Sequence, residues 1–146
     1  MSGLKFLRWS WIWISVRRKI KVYENRNNNS IVFKLLYKDF EMLFTGDLEL
    51  EAEKALLKIV EKGKLKSDIL KVAHHGSETS SVDSLIKVVA PKEAVISVGV
   101  NNFGHPNKNV LNRLVDNNIR IWRTDQNGAV MIKTDGYKYN INGYLN

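Results

Sequence analysis

The chain has 146 residues, of which 44% are hydrophobic and 26% charged, which is typical of one globular domain and excludes a disordered or fibrous protein. It has no cysteine, which excludes disulfides and thiolate metal sites. The formal net charge is +8, but residues 1–26 contribute +6, because seven Lys and Arg side chains accompany a single Glu there. The basic character therefore belongs to the N-terminal segment and does not indicate a nucleic-acid-binding surface over the whole domain.

The N-terminal segment contains an apolar, Trp-rich run from Phe6 to Val16. The run is too short for a membrane span, which needs about 20 residues, and it lacks the small-residue cleavage site of a signal peptide. Trp9, Trp11 and Trp13 repeat with the period of two that is typical of a strand. We expect an edge strand or a poorly ordered tail. The alternatives are contact of residues 6–19 with a membrane surface and a remnant of a processing segment.

The polar stretch 25–30 separates this lead, residues 1–26, from a domain over residues 27–146. Apolar runs on both sides of Lys38-Asp39 predict a hairpin, and Gly63 lies where the first helix is expected to end. Asn127-Gly128 and Asp135-Gly136 predict turns between the last strands. The predicted strands are 31–37, 40–45, 69–73, 94–98, 119–123, 129–134 and 137–141, and the predicted helices are 48–62, 82–89 and 108–117.

The element order β-β-α-β-α-β-α-β-β-β predicts an α/β fold, α+β in its last part, with helices covering one face of a sheet. The trailing strands predict hairpins that make the sheet mixed.

Three polar motifs follow predicted strands, at the ends where α/β folds place their ligands. The first is Thr45-Gly46-Asp47. Gly46 allows a tight turn, after which the Asp47 carboxylate either bridges metal ions or caps the following helix. The sequence leaves both interpretations open.

The second motif is the strand end Lys71-Val72-Ala73-His74-His75-Gly76-Ser77. Adjacent strand residues point to opposite sides, so one imidazole can ligate a metal while the other faces a substrate or an orienting partner. The alternative is one packed and one solvated histidine. The adjacent pair is a more specific signal for a metal site than a lone histidine would be. Ser77 in the same loop is a predicted substrate contact.

The third motif is the loop 99–106, with the letters GVNNFGHP. Pro106 suits the start of the next helix, so His105 is expected near a helix N-terminus, where it can contact a phosphate or act as a general acid. A purely structural turn histidine is the alternative. Asn102 is a second predicted substrate contact.

Together, TGD, KVAHHGS, SVGVNNFGHP and RTDQNGAV resemble the C-terminal half of the metallo-β-lactamase domain of ComEC-type competence proteins. Residues 30–36 resemble that family's strand after the Asn-Asn-Ser segment, and the resemblance covers residues 27–136. It implies half of an αββα sandwich. It also implies a hydrolase with two divalent cations, zinc or manganese, acting on DNA or another phosphodiester outside the cytoplasm, at the bacterial cell membrane.

By this resemblance Asp47 matches the bridging aspartate, one of His74 and His75 matches a late metal ligand, and His105 matches a histidine near the substrate. The family's first metal motif, HxHxDH, is not in this sequence, where no histidine precedes His74. We therefore expect an incomplete dinuclear site, and the alternative is that this chain binds no metal. The half sandwich predicts an apolar sheet face open to association, which Trp9, Trp11 and Trp13 can cover.

Three hypotheses follow for function. The chain is a truncated relative without robust activity, or a phosphodiesterase whose missing ligands come from another chain. The third is a non-catalytic module whose basic lead binds DNA or an anionic membrane surface.

Overall fold

The computed structural model describes residues 22–145. The predictions made for Phe6–Val16, including the membrane contact of residues 6–19 and the covering role of the tryptophans, lie outside this range. The strands are β1 (Phe33–Tyr37), β2 (Phe40–Phe44), β3 (Ile69–Lys71), β4 (Glu93–Ile96), β5 (Arg120–Arg123), β6 (Val130–Thr134) and β7 (Tyr139–Gly143). The helices are α1 (Leu50–Ile59), α2 (Lys62–Leu65), α3 (Asp83–Val89), α4 (Lys108–Asp116) and α5 (Thr124–Asn127).

Five strands form one mixed sheet in the order β1-β2-β3-β4-β5. β1 and β2 are the antiparallel hairpin predicted around Lys38-Asp39, and β2 to β5 are parallel to one another. Parallel neighbours need crossover connections, and helices α1, α3 and α4 lie in these connections. The predicted element order and the mixed sheet are confirmed. The antiparallel strand of the sheet is β1, however, and not one of the trailing strands from which the mixed sheet was predicted.

Helices α1 to α4 pack on one face of the sheet, as predicted. Alternate strand residues such as Leu43, Leu70 and Ala94 point into two clusters shared with the apolar faces of the helices. The i, i+4 pair Val110 and Leu114 of α4 is fully buried there. This packing fixes the sheet register, because a slip of one residue would turn the apolar set to the other face.

The other sheet face carries Met42, Ile69 and Val95, and the separate hairpin β6-β7 packs on it through Ile132 and Ile141. The expectation that the last strands extend the main sheet is therefore wrong, since only β5 joins it. The hairpin covers part of the face predicted to be open. An apolar groove remains between hairpin and sheet, lined by Leu35, Tyr37, Phe40, Met42, Ile132, Lys133 and Thr134.

Three local predictions need correction. α1 ends at Ile59 with Val60 as its C-cap residue, so Gly63 lies inside α2 and does not end the first helix. The N-cap residue of α1 is Glu49, which excludes the interpretation of Asp47 as that cap. β3 ends at Lys71, so the histidine pair is not on a strand. Within residues 22–145 no helix combines the length and apolar character needed to cross a membrane.

Candidate functional site: a histidine cluster at the strand ends

The three motifs lie on loops that follow the adjacent parallel strands β2, β3 and β4. The loop after β2 carries Asp47, the loop after β3 carries His74 and His75, and the loop after β4 carries His105. Because parallel strands end at the same edge of a sheet, the loops converge there, as the sequence predicted.

The histidine pair lies in a 3-10 turn over Ala73–Gly76, where His74 and His75 both have positive φ angles of 46° and 54°. Such angles cost a non-glycine residue about 1–3 kcal/mol and are found where surrounding contacts hold them, often at functional sites. The His74 N–H donates to the Gly46 carbonyl at 3.1 Å, and its carbonyl accepts from the Ser77 N–H at 2.8 Å. The turn is thus attached to the neighbouring Thr-Gly-Asp loop.

The turn brings three imidazoles together. The ring centroids of His74 and His105 are 5.5 Å apart, and those of His74 and His75 are 6.3 Å apart. The Nδ1 atom of His75 lies 2.7 Å from the Ser97 carbonyl oxygen, which can only accept, so Nδ1 carries the proton. This leaves the Nε2 lone pair of His75 available, which is the arrangement usual for a metal-ligating histidine.

The Nδ1 atoms of His74 and His105 are buried and have no hydrogen-bond partner. The carboxylate of Glu49 is 3.5 Å from the His74 Nδ1 atom, too far for a good hydrogen bond. Burial lowers the pKa of His105, and the neighbouring His74 and His75 lower it further. Two unpaired buried ring nitrogens in one cluster are atypical of a purely structural arrangement and fit a site for an added ligand.

Asn27 and Glu49 belong to this site although the sequence analysis did not single them out. The Asn27 amide donates to Glu49 Oε1 at 2.9 Å and lies 3.5 Å from His74 Nε2. This hydrogen bond is the main reason that the pKa of Glu49 is lowered. The buried Asn28 accepts from the Glu49 N–H at 2.9 Å. The asparagine run was the available signal for Asn27, since it precedes the β1-β2 hairpin that leads to Asp47.

Asp47 is held by its backbone. Its N–H donates to Ser30 Oγ at 3.0 Å, and Gly46 before it has a φ of +57° with no room for a Cβ atom beside Ser30. Its carboxylate acts electrostatically on Lys71, whose ammonium donates to the Val72 carbonyl at 2.8 Å. Burial lowers the pKa of Lys71, and Asp47 opposes that shift.

The two predicted substrate contacts differ in exposure. Ser77 is buried, with its hydroxyl 3.1 Å from that of Thr79. Asn102 is exposed on the loop that leads to His105.

The residues described do not fit a complete metal centre. Within residues 22–145 no group of three or more His, Asp or Glu side chains is arranged to hold a metal ion. A bound zinc ion takes three or four protein ligands, and a pair of ions takes more. The cluster therefore matches at most one side of such a centre.

Comparison with known proteins agrees with the motifs. The family model of the metallo-beta-lactamase superfamily matches residues 15–100. The chain is 39% identical to ComE operon protein 3 of Bacillus subtilis over 110 residues, which are 75% of this chain and 14% of that protein. It is 34% identical to competence protein ComA of Neisseria gonorrhoeae over 127 residues, 84% of this chain and 18% of that protein. It is 32% identical to recombination protein 2 of Haemophilus influenzae over 128 residues, 84% of this chain and 16% of that protein. The chain spans less than a fifth of the length of each.

Proposed function

The chain belongs to the metallo-β-lactamase superfamily and its matched relatives are of the ComEC competence type, and from this we propose that it is part of a metal-dependent phosphodiester hydrolase that acts on DNA during uptake. The observation that carries the proposal is the cluster at the ends of β2, β3 and β4. There His74 and His105 lie 5.5 Å apart with buried, unpaired Nδ1 atoms.

We propose that this part of the protein supplies one side of the metal centre, through Asp47 and the imidazoles of His74 and His75. The remaining ligands come from outside the described residues, either from elsewhere in the protein or from another chain. Zinc and manganese are the candidate cations. This division agrees with the absence of a complete ligand group within residues 22–145.

His105 is the proposed catalytic side chain. Because its pKa is lowered, the imidazole is neutral at pH 7 and is prepared to accept a proton or a hydrogen bond from an incoming group. An anionic phosphate beside the ring would favour the protonated form, which can then donate. Ser77 and Asn102 remain proposed substrate contacts, and the exposed Asn102 is the more accessible of the two.

The test is cleavage of single-stranded DNA by the purified chain with zinc or manganese, alone and mixed with the N-terminal half of the hydrolase domain of a ComEC-type relative. We expect cleavage in the mixture, and its loss in Asp47→Asn and His105→Gln. The matched control is Asp39→Asn in the exposed turn between β1 and β2, which should cleave like the wild type. Equal cleavage by all three variants would point to a contaminating nuclease and would overturn the proposal.

The alternative is a non-catalytic module that binds DNA or a membrane surface. It is favoured by one observation, the net charge of +6 in residues 1–26. Phosphate contacts made by such a segment are strongly salt-dependent. Deletion of residues 1–26 would then abolish binding of DNA or of anionic vesicles, whereas the hydrolase proposal requires Asp47 and His105 for cleavage.

A further inference from the structure

We propose that Phe103 is a stacking platform for a nucleobase of single-stranded DNA beside His105. This inference rests on the proposed function, because it names how the same site would hold its substrate. It assigns a substrate-binding role to a residue of the loop 99–106 that the sequence motifs gave no role.

The first observation is the exposure of Phe103. Its side chain is 82% exposed on the loop after β4, whereas the apolar residues Val95 and Ile96 of β4 itself are buried. Exposing a phenyl ring gives up most of the free energy that its burial would contribute. A single exposed aromatic residue flanked by Asn102 and Gly104 is therefore better suited to a flat partner than to an extended apolar interface.

The second observation is that the loop around Phe103 is held in place. The Asn101 side chain makes four hydrogen bonds to the loop backbone. Its amide group donates to the carbonyls of Gly99 at 2.9 Å and His105 at 2.8 Å. Its oxygen accepts from the N–H groups of Phe103 at 3.0 Å and His105 at 3.1 Å. A ring presented on a fixed loop loses little conformational freedom when a partner binds.

The third observation is the position of the ring. The Phe103 centroid lies 6.0 Å from that of His105, with 24° between the ring planes, and His105 is next to His74. In a nucleotide only the sugar separates base and phosphate. A base stacked on Phe103 thus leaves its phosphate within reach of the histidine cluster.

Nucleobases fit this surface better than other partners. Stacking of bases on aromatic side chains tolerates any sequence, because every base has a π-face. The single strand exposes those faces, while a duplex hides them. The expected partner is therefore single-stranded DNA.

The test is the binding of two fluorescent oligonucleotides of equal length in EDTA, one of thymidines and one of abasic deoxyribose phosphates. We expect Phe103→Ala to weaken binding of the thymidine strand by about 5- to 150-fold, the usual contribution of one stacked base. Binding of the abasic strand should not change. Phe103→Trp should bind the thymidine strand at least as well as the wild type.

The matched control is Val100→Ala, which truncates an even more exposed apolar side chain of the same loop and should leave both affinities unchanged. The proposal is overturned if the wild type does not bind the thymidine strand. It is also overturned if Phe103→Ala has no larger effect than Val100→Ala, or weakens abasic binding equally.

Failure of stacking and failure of the hydrolase proposal are distinguishable. In one outcome, the wild type mixed with the N-terminal half of a relative's hydrolase domain cleaves the abasic strand, while Phe103→Ala leaves binding of the thymidine strand unchanged. That result would support the hydrolase proposal and overturn stacking. A Phe103-dependent preference for bases, with no cleavage under any divalent cation, would support stacking and overturn hydrolysis.

Discussion

Gly76 and Pro106 are in direct contact, and this contact brings the loops after β3 and β4 together. A Cβ atom on Gly76 would lie 2.7 Å from the Pro106 Cβ atom, and the Gly76 carbonyl accepts from the Asn107 N–H at 2.8 Å. His75 and His105 each immediately precede one of the two residues in contact. The approach of the two backbones therefore sets the spacing of the histidine cluster.

Gly76→Ala should disrupt this contact. The φ of +81° disfavours any side chain, and the added methyl group overlaps Pro106, so we expect a loss of at least about 2 kcal/mol in the free energy of unfolding. Urea denaturation measures it. Gly63→Ala is the matched control, because no atom lies within 4 Å of the Cβ position in α2, and it should be neutral or stabilising by up to about 1 kcal/mol. Similar stabilities of the two variants would show that the close approach does not matter.

The sequence predicts the sheet, the helices and the convergence of the three motifs because each depends on local patterns. Apolar periodicity identifies β1 to β5 and the three crossover helices, and parallel strands necessarily end at one edge.

The errors arise where tertiary contacts decide the conformation. His74 and His75 leave the strand because the turn is attached to Gly46, a contact 28 residues away in the chain. The hairpin β6-β7 has a strand pattern, but no pattern shows that it packs across the sheet face instead of extending it. Asn27 and Glu49 meet His74 only through the fold.

Glu53 should make stability depend on pH. Its carboxylate is fully buried and accepts from the N–H groups of Ser81 at 2.6 Å and Val82 at 2.8 Å, at the start of α3. Burial raises the pKa of Glu53 to about 6 from 4.5, against the effect of these hydrogen bonds and of Arg113. Between these two values the folded state binds more protons than the unfolded state, so stability falls as pH rises.

The contribution of Glu53 is fully present below pH 4.5 and is lost as pH rises through about 6. A difference of this size corresponds to about 2 kcal/mol. Relative to Glu53→Gln, which cannot titrate, the wild type should therefore lose about 2 kcal/mol between pH 4 and pH 7. Urea titrations at both ends of the range test this. Glu61→Gln, at an exposed site, is the control, and its free energy of unfolding should change between pH 4 and pH 7 as that of the wild type does. A stability difference between the wild type and Glu53→Gln that stays constant over this range would contradict the prediction.

Asn101→Ala should loosen the loop that carries Phe103 without removing the ring. The variant loses four hydrogen bonds to the loop backbone, so we expect faster amide exchange at Phe103 and His105 and weaker binding of the thymidine strand. Asn102→Ala, at the exposed neighbouring position, should leave amide exchange unchanged. Exchange measured by mass spectrometry separates the two variants, and equal protection in both would show that Asn101 does not hold the loop.

Asn27→Ala should raise the pKa of Glu49 towards its ordinary value. The Asn27 amide hydrogen bond is the largest cause of the lowered pKa, and a group with a lowered folded pKa contributes stability above its unfolded pKa that is lost on acidification. Without that hydrogen bond, less stability is lost as pH falls below 4.5. Carbon-13 NMR titration of the Glu49 carboxyl gives the pKa directly. Asn112→Ala, an exposed change on α4, is the control. If the pKa of Glu49 is the same in both variants, Asn27 does not lower that pKa, and the position of Asn27 beside His74 is only structural.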